Sequence, residues 1–320
     1  MKIFNFCFLF IIFILITSCF DNSRINKNYF IYSDKNKKVV SENYIYNGKI
    51  VSKEFKNSDS TVELISHDGN NSFSRCSGVV ISRNYILTAA HCVYNRKLQK
   101  TYEFSYLNNL GNEIVRSEKI YPHPTYILAY DNNSINNISF ADLALVEFNE
   151  NLELYGLKIA EISEKVDYEQ KILSFGYGNI TDYPLFQNNK KRYAYSSIAK
   201  ISSNIEYLEY DLIRFNKAKI DGFIDSEKVR EIKDTFLIME IKNVNEGQTC
   251  VGDSGGPQFI NLKEKNFLIG ITHGLDFNLH ESSEIYKSCK NKKSLSTLIF
   301  PYFNWINNVV MQKNEKLILY

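Results

Sequence analysis

Three short blocks of the sequence contain residue types that together could catalyse acyl transfer. Gly252–Pro257 reads Gly-Asp-Ser-Gly-Gly-Pro and places a serine between glycines. A serine hydroxyl is a weak nucleophile at neutral pH and needs a nearby base. His91, between two alanines and a cysteine, is a candidate base, and Asp142, which opens an apolar stretch, is a candidate acid. These blocks indicate nucleophilic catalysis by a serine.

The chemistry of these residue types predicts a role for each. Asp142 would orient His91 and stabilise its protonated form, and His91 would take the proton of Ser254 Oγ and pass it to a leaving amine. The N–H groups of Gly252 and Ser254 would bind the developing oxyanion, because glycines let the backbone approach a carbonyl oxygen closely. Water is the final acceptor, and the reaction requires no metal and no organic cofactor.

The elements around these blocks are mainly of β type. From Val62 onward, short apolar runs alternate with Asn- and Gly-rich turns, which favours an all-β sandwich or barrel over a parallel α/β sheet. One helix is predicted after Pro301, because the following apolar residues fall close to one helical face. Residues 187–244 include a charged run at 225–234 that could form a short surface helix, but the preferred interpretation of the segment is a solvated insertion.

The three blocks resemble, in their order, those of the trypsin/chymotrypsin-like serine proteases, peptidase family S1. The likeness runs from about Ile45 to the predicted helix around Trp305. It implies two antiparallel six-stranded β-barrels with a C-terminal helix and a site in the cleft between them. The expected domain is 45–312, with barrels at about 45–165 and 166–298 and a tail at 313–320.

The cysteines indicate an oxidising compartment. Six are present, of which Cys7 and Cys19 lie near the N-terminus. The remaining four suggest two disulfides with three possible pairings, and a zinc site is disfavoured because no C-x-x-C pair occurs. The family resemblance implies the pairs Cys76–Cys92 and Cys250–Cys289.

The N-terminus predicts export. Phe6–Ile16 is an apolar run too short to span a bilayer, which is typical of a signal peptide. Ile-Thr-Ser-Cys at 16–19 resembles the lipobox of bacterial lipoproteins, so we expect a signal peptide at 1–18 and lipidation of Cys19. A plain secretory signal is the alternative. Residues 19–44 would form a tether or pro-segment of a protein that is secreted or anchored to the bacterial envelope.

The resemblance also implies activation of a zymogen by an activating protease. A new N-terminal isoleucine would pair its ammonium with Asp253, directly before the nucleophile. Ile45 is preferred because glycine follows three residues later, as in the family. Ile50, which follows Lys49, is the alternative.

The substrate pocket is expected to rest on Gln248, six residues before the nucleophile. Glutamine cannot supply the negative charge that a Lys or Arg side chain would need, so a trypsin-type preference is not expected. The other predicted pocket residues are Thr272, His273, Gly274 and Ser294. Whether His273 enters the cleft depends on a one-residue choice of alignment.

Composition limits the partners. A net charge of +2 is too balanced for nucleic-acid binding, so we expect polypeptide substrates, a monomer, and membrane contact only through Cys19. A catalytically silent binding protein on the same fold is the alternative function. An α/β-hydrolase is disfavoured, because there the serine precedes the acid and the histidine, whereas here His91 and Asp142 precede Ser254.

Overall fold

The computed structural model describes most of the predicted protease domain. The predicted signal peptide, Cys19, the segment up to residue 44, the charged run at 225–234 and the loop at 276–288 lie outside the described residues. Within those residues, no helix is long and apolar enough to cross a membrane. The described ranges are 45–52, 55, 58–67, 73–95, 100–101, 103–107, 114–128, 141–166, 169–178, 190–202, 236–250, 252–275, 289 and 293–320.

The described residues are mostly strands. In chain order these are β1 (Lys49–Ile50), β2 (Thr61–His67), β3 (Phe73–Val80), β4 (Tyr85–Thr88), β5 (Tyr94–Asn95), β6 (Lys100–Thr101), β7 (Glu103–Leu107), β8 (Ile114–Arg116), β9 (Lys119–Pro122), β10 (Ala144–Glu147), β11 (Lys171–Gly176), β12 (Arg192–Ser202), β13 (Phe236–Glu240), β14 (Pro257–Leu262), β15 (Lys265–Leu275) and β16 (Ser294–Leu298).

Within the described ranges, three short α-helices and three 3-10 turns accompany the strands. The helices are α1 (Ala90–Val93), α2 (Pro124–Leu128) and α3 (Phe303–Val310), and the 3-10 turns are Leu152–Tyr155, Phe300–Tyr302 and Met311–Lys313. The predicted C-terminal helix is therefore present as α3. Pro301 lies in the 3-10 turn that leads into it.

Apart from β5 and β6, which pair only with each other, the described strands form two antiparallel sheets, which confirms the all-β, double-barrel prediction. The first has the order β8-β7-β2-β3-β4-β10-β9. The second has the order β1-β12-β11-β14-β15-β16-β13, and an additional pairing of β12 with β13 closes six of its strands into a barrel. One apolar cluster includes Leu87 and Leu145 of the first sheet and extends to Phe175 and Phe259 of the second, and another, around Ile260 and Phe267, lies within the second sheet.

One sequence interpretation is wrong here. Residues 187–244 are not simply a solvated insertion, because β12 and β13 within this segment pair with each other and complete the second barrel. Lys49 and Ile50 also belong to the second sheet, since β1 pairs with Tyr193 and Arg192 of β12. The three consecutive basic residues at 190–192 made the start of this barrel strand resemble a solvated loop in the sequence.

The C-terminal end packs on the first sheet and on the linker between the sheets. Ile306, Val309 and Val310 of α3 are buried. The predicted tail is ordered where it meets the linker: Ile162 N–H donates to Ile318 O at 2.9 Å and Tyr320 N–H donates to Ile162 O at 3.0 Å. The end of the chain is thereby attached to the segment that joins the two sheets.

Candidate active site

Two adjacent strands of the first sheet bring His91 and Asp142 together. His91 lies in α1, directly after β4, and Asp142 lies directly before β10. The register of these strands pairs Thr88 with Ala144, so the two functional residues emerge at the same sheet edge. His91 N–H donates to Asp142 Oδ1 at 2.8 Å, and His91 Nδ1 lies 2.7 Å from Asp142 Oδ2.

The acid is buried and the base is partly accessible. The side chain of Asp142 is 0% exposed, whereas that of His91 is 35% exposed. Burial alone would raise the pKa of Asp142, but the charges of His91 and His273 and the hydrogen bonds from their rings hold it well below its usual range. Asp142 is therefore a permanent negative charge beside His91.

The turn that contains Ser254 packs against the residues leading to His91. Gly255 has a positive φ of 79°, and a Cβ there would overlap Thr88 Oγ1 and Ser77 O. Ser77 N–H donates to Ser254 O at 2.7 Å. Only glycine allows this approach, which places the serine turn of the second sheet against β3 and the end of β4.

The backbone of this turn leaves two N–H groups available. The N–H groups of Asp253, Gly255 and Gly256 donate to carbonyls of Cys250, Thr272 and Asp253, respectively. Those of Gly252 and Ser254 have no hydrogen-bond partner in the part of the chain that the structure describes. Two unpaired donors on alternate residues can bind a carbonyl oxygen that gains negative charge.

Asp253 is buried directly before the serine. Its Oδ1 accepts the N–H of Gly178 and its Oδ2 that of Cys250, each at 2.8 Å. Burial raises the pKa of Asp253 from its ordinary 3.8 to about 7, although these hydrogen bonds and the charge of Arg192 act against it. The carboxyl lacks the full compensation that a buried charge needs.

The segment around Ile45 docks beside the loop before Asp253. Ile45 is 2% exposed, and Tyr46 exchanges backbone hydrogen bonds with Gln248 at 2.8 and 3.1 Å. Asn47, at a left-handed φ of 56°, donates through its side-chain amide to Val244 O and Glu246 O at 2.9 and 2.8 Å. By contrast, Ile50 is 48% exposed.

Both disulfides implied by the resemblance are present, Cys76–Cys92 and Cys250–Cys289. The first joins α1 to β3. The second joins the segment before the serine to the chain near β16.

Some of the predicted pocket residues have unpaired polar atoms, whereas the hydroxyl of another is already hydrogen-bonded. Gln248 is fully buried; its Nε2 donates to Cys289 O, while its Oε1 has no hydrogen-bond partner among the described residues. Ser294 Oγ is likewise buried and unpaired among them. The hydroxyl of Thr272, by contrast, is already paired, because it accepts a hydrogen bond from Gln258 Nε2 at 2.6 Å inside the second barrel. Gly274 follows in β15.

The sequence predicts His273 among the pocket residues. In the structure, its Nδ1 lies within hydrogen-bonding distance of Asp142 Oδ2. The pairing of β15 with β16 shifts register between Thr272 and Gly274. This bulge leaves His273 out of the regular alternation of side chains. The only indication of this contact in the sequence was the one-residue ambiguity of alignment at His273.

His91, Asp142 and His273 also offer three potential metal ligands in one place. However, the separation of 2.7 Å between His91 Nδ1 and Asp142 Oδ2 is that of a hydrogen bond. Two ligands that each lie about 2.0–2.2 Å from one zinc ion in tetrahedral geometry would be farther apart than this. The arrangement is therefore suited to proton chemistry.

Sequence comparisons with known proteins find several relatives of low identity. Trypsin Blo t 3 of Blomia tropicalis is 24% identical over 57% of the chain and 62% of that relative. The collagenase of Hypoderma lineatum is 26% identical over 61% of the chain and 64% of that relative, so the chain spans less than two thirds of these two proteins. Chymotrypsin-like elastase family member 1 of Rattus norvegicus is 24% identical over 78% of the chain and 84% of that relative. The model of the trypsin family matches residues 51–306, and the chain therefore belongs to the trypsin family.

Proposed function

We propose that this protein is a serine endopeptidase that hydrolyses peptide bonds through Ser254, His91 and Asp142. The observation that carries the proposal is the buried Asp142 paired with a partly exposed His91, beside a serine turn that packs on the residues leading to that histidine. Membership of the trypsin family supports the reaction class.

In the proposed mechanism, Ser254 Oγ attacks the substrate carbonyl carbon while His91 accepts the hydroxyl proton. The N–H groups of Gly252 and Ser254 bind the oxyanion that forms. The C–N bond then breaks, and the protonated His91 gives its proton to the leaving amine. Water, activated by His91, releases the acid from the acyl-enzyme and restores Ser254. Asp142 keeps the ring oriented and stabilises its positive charge.

We further propose that the primary pocket accepts neutral side chains with hydrogen-bonding groups. Gln248 carries no charge, and its buried Oε1 has no partner among the described residues. An acceptor left unpaired in this way costs roughly 1–3 kcal/mol, which a donor on the substrate would recover. A lysine or arginine side chain would instead be buried without a counter-charge.

A panel of peptides that differ only in the residue before the scissile bond tests both proposals. We expect cleavage after glutamine or asparagine to have a kcat/KM at least about tenfold above that after lysine or arginine, which corresponds to about 1.4 kcal/mol. The measurement is kcat/KM on protein processed before Ile45. Gln248→Asp is the matched variant, and we expect it to reverse this order.

Two outcomes would contradict the proposals separately. If no peptide of any type is cleaved, the endopeptidase proposal fails and the silent binding protein is favoured. If lysine and arginine peptides are cleaved best by the parent, only the assignment of the pocket fails.

We also propose that cleavage before Ile45 activates the protein. The burial of Ile45 and the pairing of Tyr46 with Gln248 support this position over Ile50. The new ammonium would supply Asp253 with the positive partner that its buried carboxyl lacks. N-terminal sequencing of active protein distinguishes Ile45 from Ile50, and from Cys19 as the first residue.

The raised pKa of Asp253 predicts a pH-dependent stability of the unprocessed chain. Because the folded carboxyl holds its proton up to about pH 7 and the unfolded one only to about 3.8, this group stabilises the fold at low pH. We expect its contribution, about 4 kcal/mol at 1.36 kcal/mol per pKa unit, to be lost as pH rises from about 4 through 7.

Urea unfolding of the unprocessed Ser254→Ala chain between pH 4 and 8 measures this dependence without self-cleavage. The same chain with Asp253→Asn is the control, and its unfolding free energy should lack this fall with pH. After processing before Ile45 the fall should also disappear. Identical pH dependences in the two unprocessed chains would disprove the raised pKa.

The proposed function includes export from the cytoplasm. We propose that residues 1–18 are a signal peptide and that Cys19 is lipidated in the bacterial envelope. The two disulfides support an oxidising compartment. Mass spectrometry of an acylated Cys19 peptide tests the anchor, and an unmodified Cys19 in the exported protein would refute it.

A further inference from the structure

Asp142 is shared by two histidines. Nδ1 of His91 and Nδ1 of His273 both contact the same oxygen, Oδ2, from different sheets. The two rings meet edge to face with their centroids 5.8 Å apart. The side chain of His273 is 19% exposed, so it is more enclosed than that of His91.

The position of His273 results from the fold of the second barrel. Thr272 pairs with Ser296 and Gly274 with Leu295, and the register shift between these pairs falls on His273. The side chain is thereby directed out of the second sheet to Asp142. On its other side the ring packs near Phe236, with centroids 5.9 Å apart.

We propose that His273 is a positioning residue for the reaction, which acts through Asp142. It contacts Oδ2, the same oxygen that His91 Nδ1 contacts, and so fixes the acceptor that orients the His91 ring. This inference rests on the proposed function of His91 and Asp142, and it adds to them a residue of the second barrel.

The physical basis of the proposal is the use of one acceptor oxygen by two N–H donors. Each ring that donates its Nδ1–H to Asp142 is held in one tautomer and one orientation. The donor from His273 fixes the position of Oδ2, and that oxygen in turn orients the ring of His91. Among the described residues, the ring of His273 also lies near those of His91 and Phe236.

Proton and nitrogen NMR of the Ser254→Ala protein tests the hydrogen bonds without any need for activity. The chain has only five histidines, which makes their assignment practicable. We expect two low-field Nδ1–H signals, of which His273→Asn removes one and Asp142→Asn displaces both. His123 is an internal reference, because burial lowers its pKa to about 4 and its ring should not titrate between about pH 6 and 9.

The chemical shift of the His91 Nδ1–H proton gives the readout that a merely structural role would not change. In the Ser254→Ala protein, His273→Asn should shift this signal, because the replacement changes the second donor to Asp142 Oδ2, the oxygen that accepts it. A single low-field signal in the Ser254→Ala protein, or a His91 signal unchanged by His273→Asn, would overturn the proposal.

Kinetics on the otherwise unmodified, processed protein provide the second test. We expect His273→Ala to lower kcat by about 10- to 100-fold, because misplacement of a catalytic group has effects of this size, with little change in KM. His273→Asn, whose amide can still donate to Asp142, should recover most of this loss. Thermal unfolding verifies that each variant is folded.

The outcomes separate this inference from the proposed function. If the unmodified protein hydrolyses nothing, the proposed function fails, and the NMR arm still decides the role of His273 at Asp142. If His273→Ala keeps the original kcat, or loses activity only through KM, His273 is not a positioning residue.

Discussion

Replacement of Ser254 with alanine is expected to lower kcat by about 10⁵- to 10⁶-fold while the protein stays folded. Removal of the nucleophile leaves only the contribution of substrate binding and oxyanion stabilisation, so a loss of this size is typical of a serine hydrolase. The side chain is partly exposed, and the melting temperature should therefore change by no more than about 2 °C. The measurements are peptide hydrolysis and covalent labelling by a fluorophosphonate.

The control for this variant is Ser52→Ala, which changes an exposed serine near β1. It should keep the original kcat and the label on Ser254. A Ser254→Ala protein that still hydrolyses peptides at the original rate would refute the assignment of the nucleophile. An unmodified protein that is neither labelled nor active would favour the silent binding protein instead.

Asp142→Asn is the second substitution with a large expected effect, a decrease in kcat of about 10⁴-fold. Asp142 accepts His91 N–H through Oδ1 and two ring nitrogens through Oδ2. An asparagine replaces one acceptor with an N–H₂ donor, so at least one of these donors loses its partner in either orientation of the amide. The ring of His91 then loses its orientation, its tautomer, or both.

Glu147→Gln is a matched control because it converts another buried carboxylate of the same segment into an amide. Glu147 pairs with Lys313 at 2.8 Å and accepts hydrogen bonds from Tyr85 and Tyr121. We expect a lower melting temperature and a kcat within about twofold of the original, because the contacts of Glu147 stabilise the fold but do not involve His91 or Ser254. Equal losses of kcat in the two variants would disprove a special role for Asp142.

The three candidate catalytic residues were indicated by local patterns in the sequence. His91, Asp142 and Ser254 each lie in a short block whose small or glycine neighbours restrict the local backbone. His273 could not be placed in this way, because its contact with Asp142 depends on the register of β15 against β16. That register is a property of strands far apart in sequence, and a one-residue slip redirects every side chain.

The first part of the second barrel was also hard to predict from local sequence. β12 alternates aromatic and small residues, but its start is preceded by charged residues that resemble a solvated loop. Its assignment as a strand requires its partners β11 and β13. The disulfides were predicted only through the family resemblance, since four cysteines alone allow three pairings.

The contacts of the serine turn have a consequence for the order of folding. Ser254 O accepts from Ser77 of the first sheet, while Gly255 N–H donates to Thr272 of the second. A chain in which only one barrel has formed lacks half of these contacts. The proposed proteolytic activity therefore requires both barrels, and it would arise only after folding, when the unfolded segments of the chain, the easiest targets for a protease, are already protected.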